Sequence, residues 1–335
     1  MPTITTTPPA PRARTRGRLV TPGLIVATLI VIGLLALSLM VGEYDIFTAN
    51  GFSKDGGHMF ATTRVPRTIA LVLSGAAMAM SGLVMQLLTQ NRFVEPTTTG
   101  TTEWASLGLL LCIIVFPHSS ILLRMVVAVV FSFIGTMVFF GFLRRVSLRQ
   151  SLVVPIIGIM LGAVVSAITT FIALEADALQ TLSIWFQGSF TSVYKGQYEV
   201  LWVVLAVVVA VAIGADHFTT AGLGEDMATA LGVNYNRLVL IGTGLIALAT
   251  GVVTVVVGNL PFLGLIVPNL VSLIRGDDLR SNLPWVCLTG IGLVTACDLI
   301  ARTIISPFEI PVAVVLGMVG AVFFVIMIVR YSRGH

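Results

Sequence analysis

The chain has 335 residues, a formal net charge of +4, 56% hydrophobic and only 10% charged side chains, with a mean hydropathy of +1.02. That much apolar surface cannot be hidden inside a soluble domain, so a soluble fold is excluded. The small basic excess is scattered at the edges of apolar stretches and is not a nucleic-acid footprint.

Ten apolar stretches follow one another at about 21–41, 65–88, 97–116, 121–143, 152–173, 198–214, 238–257, 264–274, 285–303 and 310–329. A bilayer core about 30 Å thick takes roughly 20 apolar residues per helical span. Most stretches reach that length; 264–274 does not and reads as a short or broken span. Backbone in lipid must satisfy its own hydrogen bonds, and period-two alternation is absent. The expectation is an all-α polytopic membrane protein with about ten transmembrane helices. Of the 19 basic residues, only six (Lys54, Arg64, Arg67, Arg124, Lys195 and Arg302) fall on the side opposite the N-terminus. Short basic loops stay in the cytosol, so both termini are expected there.

Residues 1–18, rich in Thr, Pro and Arg, read as a disordered cytosolic tail, and 19–335 as one membrane domain. The first span is longer than a signal-peptide core and lacks a cleavage pattern, so it reads as a retained anchor. Arg64-Val65-Pro66-Arg67 opens the second span. Pro66 suits a first helical turn, but two arginines there oppose the dipole of their own helix. They either snorkel to headgroups or anchor carboxylates of an external partner. Ser74, Gly75, Ala79 and Gly82 in this span, and Gly317 with Gly320 in the tenth, permit close helix packing.

The third span begins unusually polar, with Thr97, Thr98, Thr99, Gly100, Thr101 and Thr102 leading to Glu103 and Trp104. An intramembrane acid is a functional candidate facing the bundle or a watery path; a helix-end acid still reached by water is the alternative. The stretch 215–237 is too long for a simple turn. Within it, Gly222-Leu223-Gly224-Glu225-Asp226-Met227-Ala228-Thr229-Ala230-Leu231-Gly232 reads as a short amphipathic cytosolic helix. Acids occupy its first turn, Gly232 stands at its C-terminal cap, and Leu223, Met227, Ala230 and Leu231 share one face. That face packs on the protein or lipid, or docks a cytosolic partner. Pro261 through Pro268 and Asn269 predict a kinked or unwound segment, lining a path or simply buried. Asp298 and Arg302, four apart, either pair on their helix or extend the outer basic patch.

No phosphate-binding loop occurs, and the two lysines, Lys54 and Lys195, lie outside Gly-rich loops. The histidines have no metal-ligand spacing, and Cys112, Cys287 and Cys297 sit in apolar segments as small hydrophobes. The chain is therefore expected to be no enzyme and to carry no metal and no cofactor of its own.

The segments 64–96, 183–190 (SIWFQGSF), 223–233 (LGEDMATALGV), 260–271 (LPFLGLIVPNLV), 298–302 and 308–317, in this order, resemble the FecCD family of ferric-siderophore and vitamin B12 ABC importer permeases. The resemblance implies a permease dimer around a central path, two cytosolic ATPase subunits using ATP-Mg, and an external binding protein delivering an iron chelate. It implies ATPase coupling through Leu223, Gly224, Glu225, Asp226, Ala230, Leu231 and Gly232. It implies docking of the binding protein on Arg64, Arg67 and Arg302. Thr101, Thr102, Glu103, Trp104, Pro268 and Asn269 are candidates for the path.

Asn269 replaces the family's usual His, Thr101 to Trp104 replace small residues, and Ala313 and Val322 replace Gly and Pro. These departures resemble the subgroup that pairs with a second, different permease and carries ferric siderophores across the bacterial cytoplasmic membrane. The alternatives are a homodimer, a B12 or haem permease, and an ion-gradient-driven secondary transporter; a scaffold without transport would leave the outer arginines and cytosolic helix without purpose.

Overall fold

The computed structural model describes residues 22–42, 47–48, 51–52, 56–145 and 153–333. The tail expected at 1–18 lies outside them. Apart from a two-residue antiparallel pair (Phe47–Thr48 with Gly51–Phe52), regular structure among the described residues is helical.

In chain order the helices are α1 (Pro22–Met40), α2 (Gly56–Met59), α3 (Val65–Thr89), α4 (Thr101–Val115), α5 (Ile121–Arg145), α6 (Val153–Glu175), α7 (Leu179–Phe186), α8 (Val203–Ile213), α9 (Ala215–Ala221), α10 (Glu225–Ala230), α11 (Tyr235–Val256), α12 (Leu263–Arg275), α13 (Leu279–Thr303) and α14 (Val312–Arg333). A π-helical stretch, Phe60–Arg64, joins α2 to α3, giving one rod of 33 residues from Gly57 to Thr89. Among the described residues, seven helices are long and apolar enough to cross a membrane. An eighth candidate is the pair Tyr198–Ile213 and Ala215–Ala221, bent by 69°. The expected third and eighth spans are shorter apolar helices, α4 and α12.

Burial sorts these helices. Most of α3 and α11 is buried, whereas α1 buries only Val31 and Ser38 and presents Leu29, Ile30 and Ile32 outward, as a lipid-facing helix does. Helix α3 is the hub, packing against α13, α11, α12 and α8. Apolar attraction between spans is weak in lipid, so close packing depends on small residues at the crossings. Gly75 meets Gly290 of α13 and Gly82 meets Gly264 of α12; a Cβ on Gly290 would lie 2.5 Å from the Gly75 carbonyl oxygen. Gly320 packs under the Phe262 ring, but Gly317 has nothing within 4 Å and serves no crossing among the described residues.

The break expected across Pro261–Asn269 is placed differently in the structure. The chain unwinds at 258–262, where Phe262 takes φ +62°, and α12 then runs unbroken with Pro268 inside it. Pro268 has no N–H for the Gly264 carbonyl one turn earlier; the Gln86 side-chain amide points to that oxygen instead, at 3.4 Å. The Asn269 amide donates to Leu265 O and Arg92 O, each at 2.8 Å. Helix α3 thus offers a donor to the carbonyl that the proline leaves open, and Asn269 ties α12 to the segment at Arg92.

Candidate functional site

At one end of the bundle, Arg64 and Arg302 converge on the last turn of α1, with Arg67 beside them. The C-terminal carbonyls of a helix lack partners of their own and carry the negative end of its dipole. Arg64 Nη1 donates to Leu39 O (2.9 Å) and Met40 O (3.0 Å). Arg302 donates to Val41 O (3.0 Å) and Ser38 Oγ (2.8 Å). Arg64 opposes the dipole of α3 but complements that of α1, which the reading of a single helix could not show.

Arg67 lies beside them. Its Nη2 donates to Asp298 Oδ1 (2.8 Å), and its Nη1 to both oxygens of Glu309 (3.0 and 2.9 Å). Thr191 also donates to Glu309 (2.6 Å). Asp298 Oδ2 is 3.1 Å from Arg302 Nη2, and the side chains are only 1% and 5% exposed. The intrahelical pair expected at 298 and 302 therefore exists, buried rather than exposed. Arg302 is a bundle residue in this conformation, while Arg64 and Arg67 stay half-buried nearer the rim.

A cavity of about 330 Å³ opens between α4, α6, α7 and the 258–262 turn. Thr102, Glu103, Ser106, Thr169, Thr170 and Asn259 supply much of its polar lining. The neighbouring candidates face elsewhere. Thr101 is fully buried and hydrogen-bonded to Thr136 of α5 (2.9 Å), a polar tie between helices. Trp104 packs on Phe131 and over Gly135, where a Cβ would sit 2.2 Å from the indole. At a 100° turn per residue, four successive side chains cannot share a face; Thr102 and Glu103 line the cavity and their neighbours hold α5. The sequence reading missed Thr169, Thr170 and Asn259. The first two were legible as a threonine pair in an otherwise apolar span; Asn259 had no signal before the turn was seen.

Glu95 was also missed as an individual residue. It is fully buried and accepts from Phe262 N (2.8 Å), Leu265 N (3.1 Å) and the Thr97 hydroxyl. The amides at the start of α12 need acceptors, and an acid suits the positive end of its dipole. Glu95 thereby ties the 90–100 segment to the start of α12. Pro268 and Asn269 lie farther along α12, beside a second cavity of about 400 Å³ bordered by Gln90, Arg92, Gly222 and Leu223. They do not border the Glu103 cavity.

At the far end of α3 from the arginines, α9 and α10 form an elbow. Gly224 (φ +103°) starts α10 and Gly232 (φ +80°) ends it. Val233 N donates to Ala228 O and Gly232 N to Thr229 O, each at 2.9 Å, closing a left-handed C-terminal cap at the expected glycine. Ala228 is fully buried, whereas Leu223, Met227 and Leu231 are 57%, 56% and 63% exposed. The expected apolar face therefore exists, and this chain leaves it largely uncovered. Glu225, Asp226 and Ala230 are exposed beside it.

Residues 25–330 match the FecCD transport family. The chain belongs to that family. The petrobactin import system permease protein FatD of Bacillus anthracis is 60% identical over 309 residues, covering 92% of this chain and 91% of the relative. The petrobactin import system permease protein YclN of Bacillus subtilis is 41% identical, covering 90% and 96%. The ferric-anguibactin transport system permease protein FatD of Vibrio anguillarum is 39% identical, covering 81% and 86%. A vitamin B12 import permease, BtuC of Vibrio vulnificus, stands at 29%. A solved metal-chelate type ABC transporter in an inward-facing conformation superposes with a TM-score of 0.79 at 24% identity, covering 92% of this chain and 98% of its own, which supports the fold. This FecCD protein is thus a multi-pass membrane protein, and the family resemblance read from its motifs is borne out.

Proposed function

We propose that this FecCD protein is the permease subunit of an ABC importer that moves ferric siderophores of the petrobactin and anguibactin type across a bacterial cytoplasmic membrane. The observation that carries the reading is the 60% identity to a petrobactin permease across nine-tenths of both chains. The Glu103 cavity supports it by supplying polar groups among apolar helices.

In this reading the arginine end faces outward and receives a binding protein, with Arg64 and Arg67 nearest the rim. The elbow faces the cytosol, where two ATPase subunits using ATP-Mg grip α10, and a second, different permease completes the path. The exposed Leu223, Met227 and Leu231 supply the apolar part of that contact. Closure of the ATPases pushes α10 and hence α9. Leu87 of α3 packs against Gly222, and the Tyr235 hydroxyl of α11 donates to Leu88 O (3.1 Å). The push therefore reaches both buried helices.

The test is uptake of labelled ferric petrobactin by cells lacking the gene and complemented with it. Uptake should return with this chain and vanish when the companion ATPase is inactivated. Uptake that survives without the ATPase and collapses with an uncoupler would replace this reading with a secondary transporter. Uptake of vitamin B12 in place of the siderophore would replace the cargo.

A further inference from the structure

Of the six hydroxyls that line the Glu103 cavity, those of Thr102, Ser106, Thr169, Thr170 and Ser183 already donate within the protein, while Ser166 and the Asn259 amide keep donors to offer. Ser106 donates to Thr102 O (2.7 Å), Thr169 to Val165 O and Thr170 to Ser166 O (each 2.8 Å), so their hydroxyl oxygens meet the cavity as acceptors. Thr102 donates to Glu103 Oε2 (3.0 Å), the side-chain partner that the carboxylate has among the described residues. Asn259 Oδ1 is buried without a hydrogen-bond partner among the described residues. The lining contains no Lys, Arg or His. A half-buried carboxylate with no cation in the lining attracts a positive group, and a lining with more open acceptors than open donors favours an occupant rich in N–H or O–H donors.

We infer that Glu103, with Asn259 and the surrounding hydroxyl oxygens, is a specificity site that recognises a protonated amine on the iron chelate as it passes. One carboxylate among neutral oxygens is too few charged ligands for a bare metal ion, whereas an ammonium needs one charged and several neutral acceptors. The inference rests on the importer reading above, and its test separates the two.

The complete importer, reconstituted in vesicles with ATP on the nucleotide-binding side, is offered two ferric siderophores that differ only in acetylation of one backbone amine. Wild-type protein should favour the free amine. Glu103→Gln should slow the amine form roughly tenfold or more, the scale of losing a charge-assisted hydrogen bond, and leave the acetylated form within about twofold. Glu103→Asp should keep the preference at a lower rate. Equal effects of Glu103→Gln on both chelates, or no effect on either, would overturn the inference and leave the importer reading standing. Loss of co-purification with the second permease in Glu103→Gln would also overturn it, by assigning the missing counter-charge to that subunit. Import of neither chelate by wild-type protein would overturn both readings.

Discussion

Gly82 of α3 and Gly264 of α12 touch backbone to backbone: a Cβ on Gly82 would lie 2.1 Å from the Gly264 carbonyl oxygen. Backbone cannot step aside as a side-chain tip can. Gly82→Ala should therefore force the helices apart and cost about 1–3 kcal/mol, the usual range for overpacking. Gly141 of α5 has nothing within 4 Å, so Gly141→Ala should be neutral or slightly stabilising, since glycine inside a helix costs about 0.5–1 kcal/mol. Thermal unfolding of both variants in one detergent checks this; indistinguishable melting temperatures would refute the crossing as a constraint.

Glu95 offers a second measurement. Glu95→Ala should leave the Phe262 and Leu265 amides unpartnered, at about 1–3 kcal/mol for each buried donor. Glu95→Gln, which keeps one carbonyl acceptor, should fall between alanine and wild type. Hydrogen exchange at the start of α12 should rise in the same order, and a uniform change across the chain would argue against a local cap.

Asp298 holds two arginines at once. Asp298→Ala should leave Arg67 and Arg302 short of a carboxylate in a buried place, costing on the order of 3 kcal/mol. Removing Arg302 as well, in Asp298→Ala with Arg302→Met, should recover part of that loss. A strictly additive double variant, measured by denaturation, would show that the two residues do not act as a pair.

The elbow predicts a separation of stability from assembly. Replacing Leu223, Met227 and Leu231 together with serine should leave the melting temperature within about 1–2 °C, because exposed side chains contribute little to folding. Retention of the companion ATPase on an affinity column should drop by at least tenfold. Undiminished retention would exclude this face as the contact.

Much of this architecture was legible because hydropathy and helix geometry are local properties. The long spans, the capping glycine at 232 and the shared face of Leu223, Met227 and Leu231 all follow from residues within a few turns of one another. Relations between distant segments were not legible. The partner of Arg64 is a helix end 25 residues earlier, and Glu95 acts on amides about 170 residues away. Pro268 showed the opposite failure: a residue that breaks helices in isolation sits inside one, and the carbonyl it leaves open faces the Gln86 amide of α3. Thr101 and Trp104 were grouped with Glu103 by adjacency, although the turn of a helix sends them to α5.

The arginine clasp on α1 also sets an order of manufacture. Helix α1 leaves the ribosome before α13, yet its last turn is bonded by Arg64 and Arg302, and the second of these follows its acceptor Val41 by 261 residues. Until α13 is inserted, the first helix is tethered by only one of its two fasteners. A polypeptide released before that point would hold the end of α1 through Arg64 without Arg302.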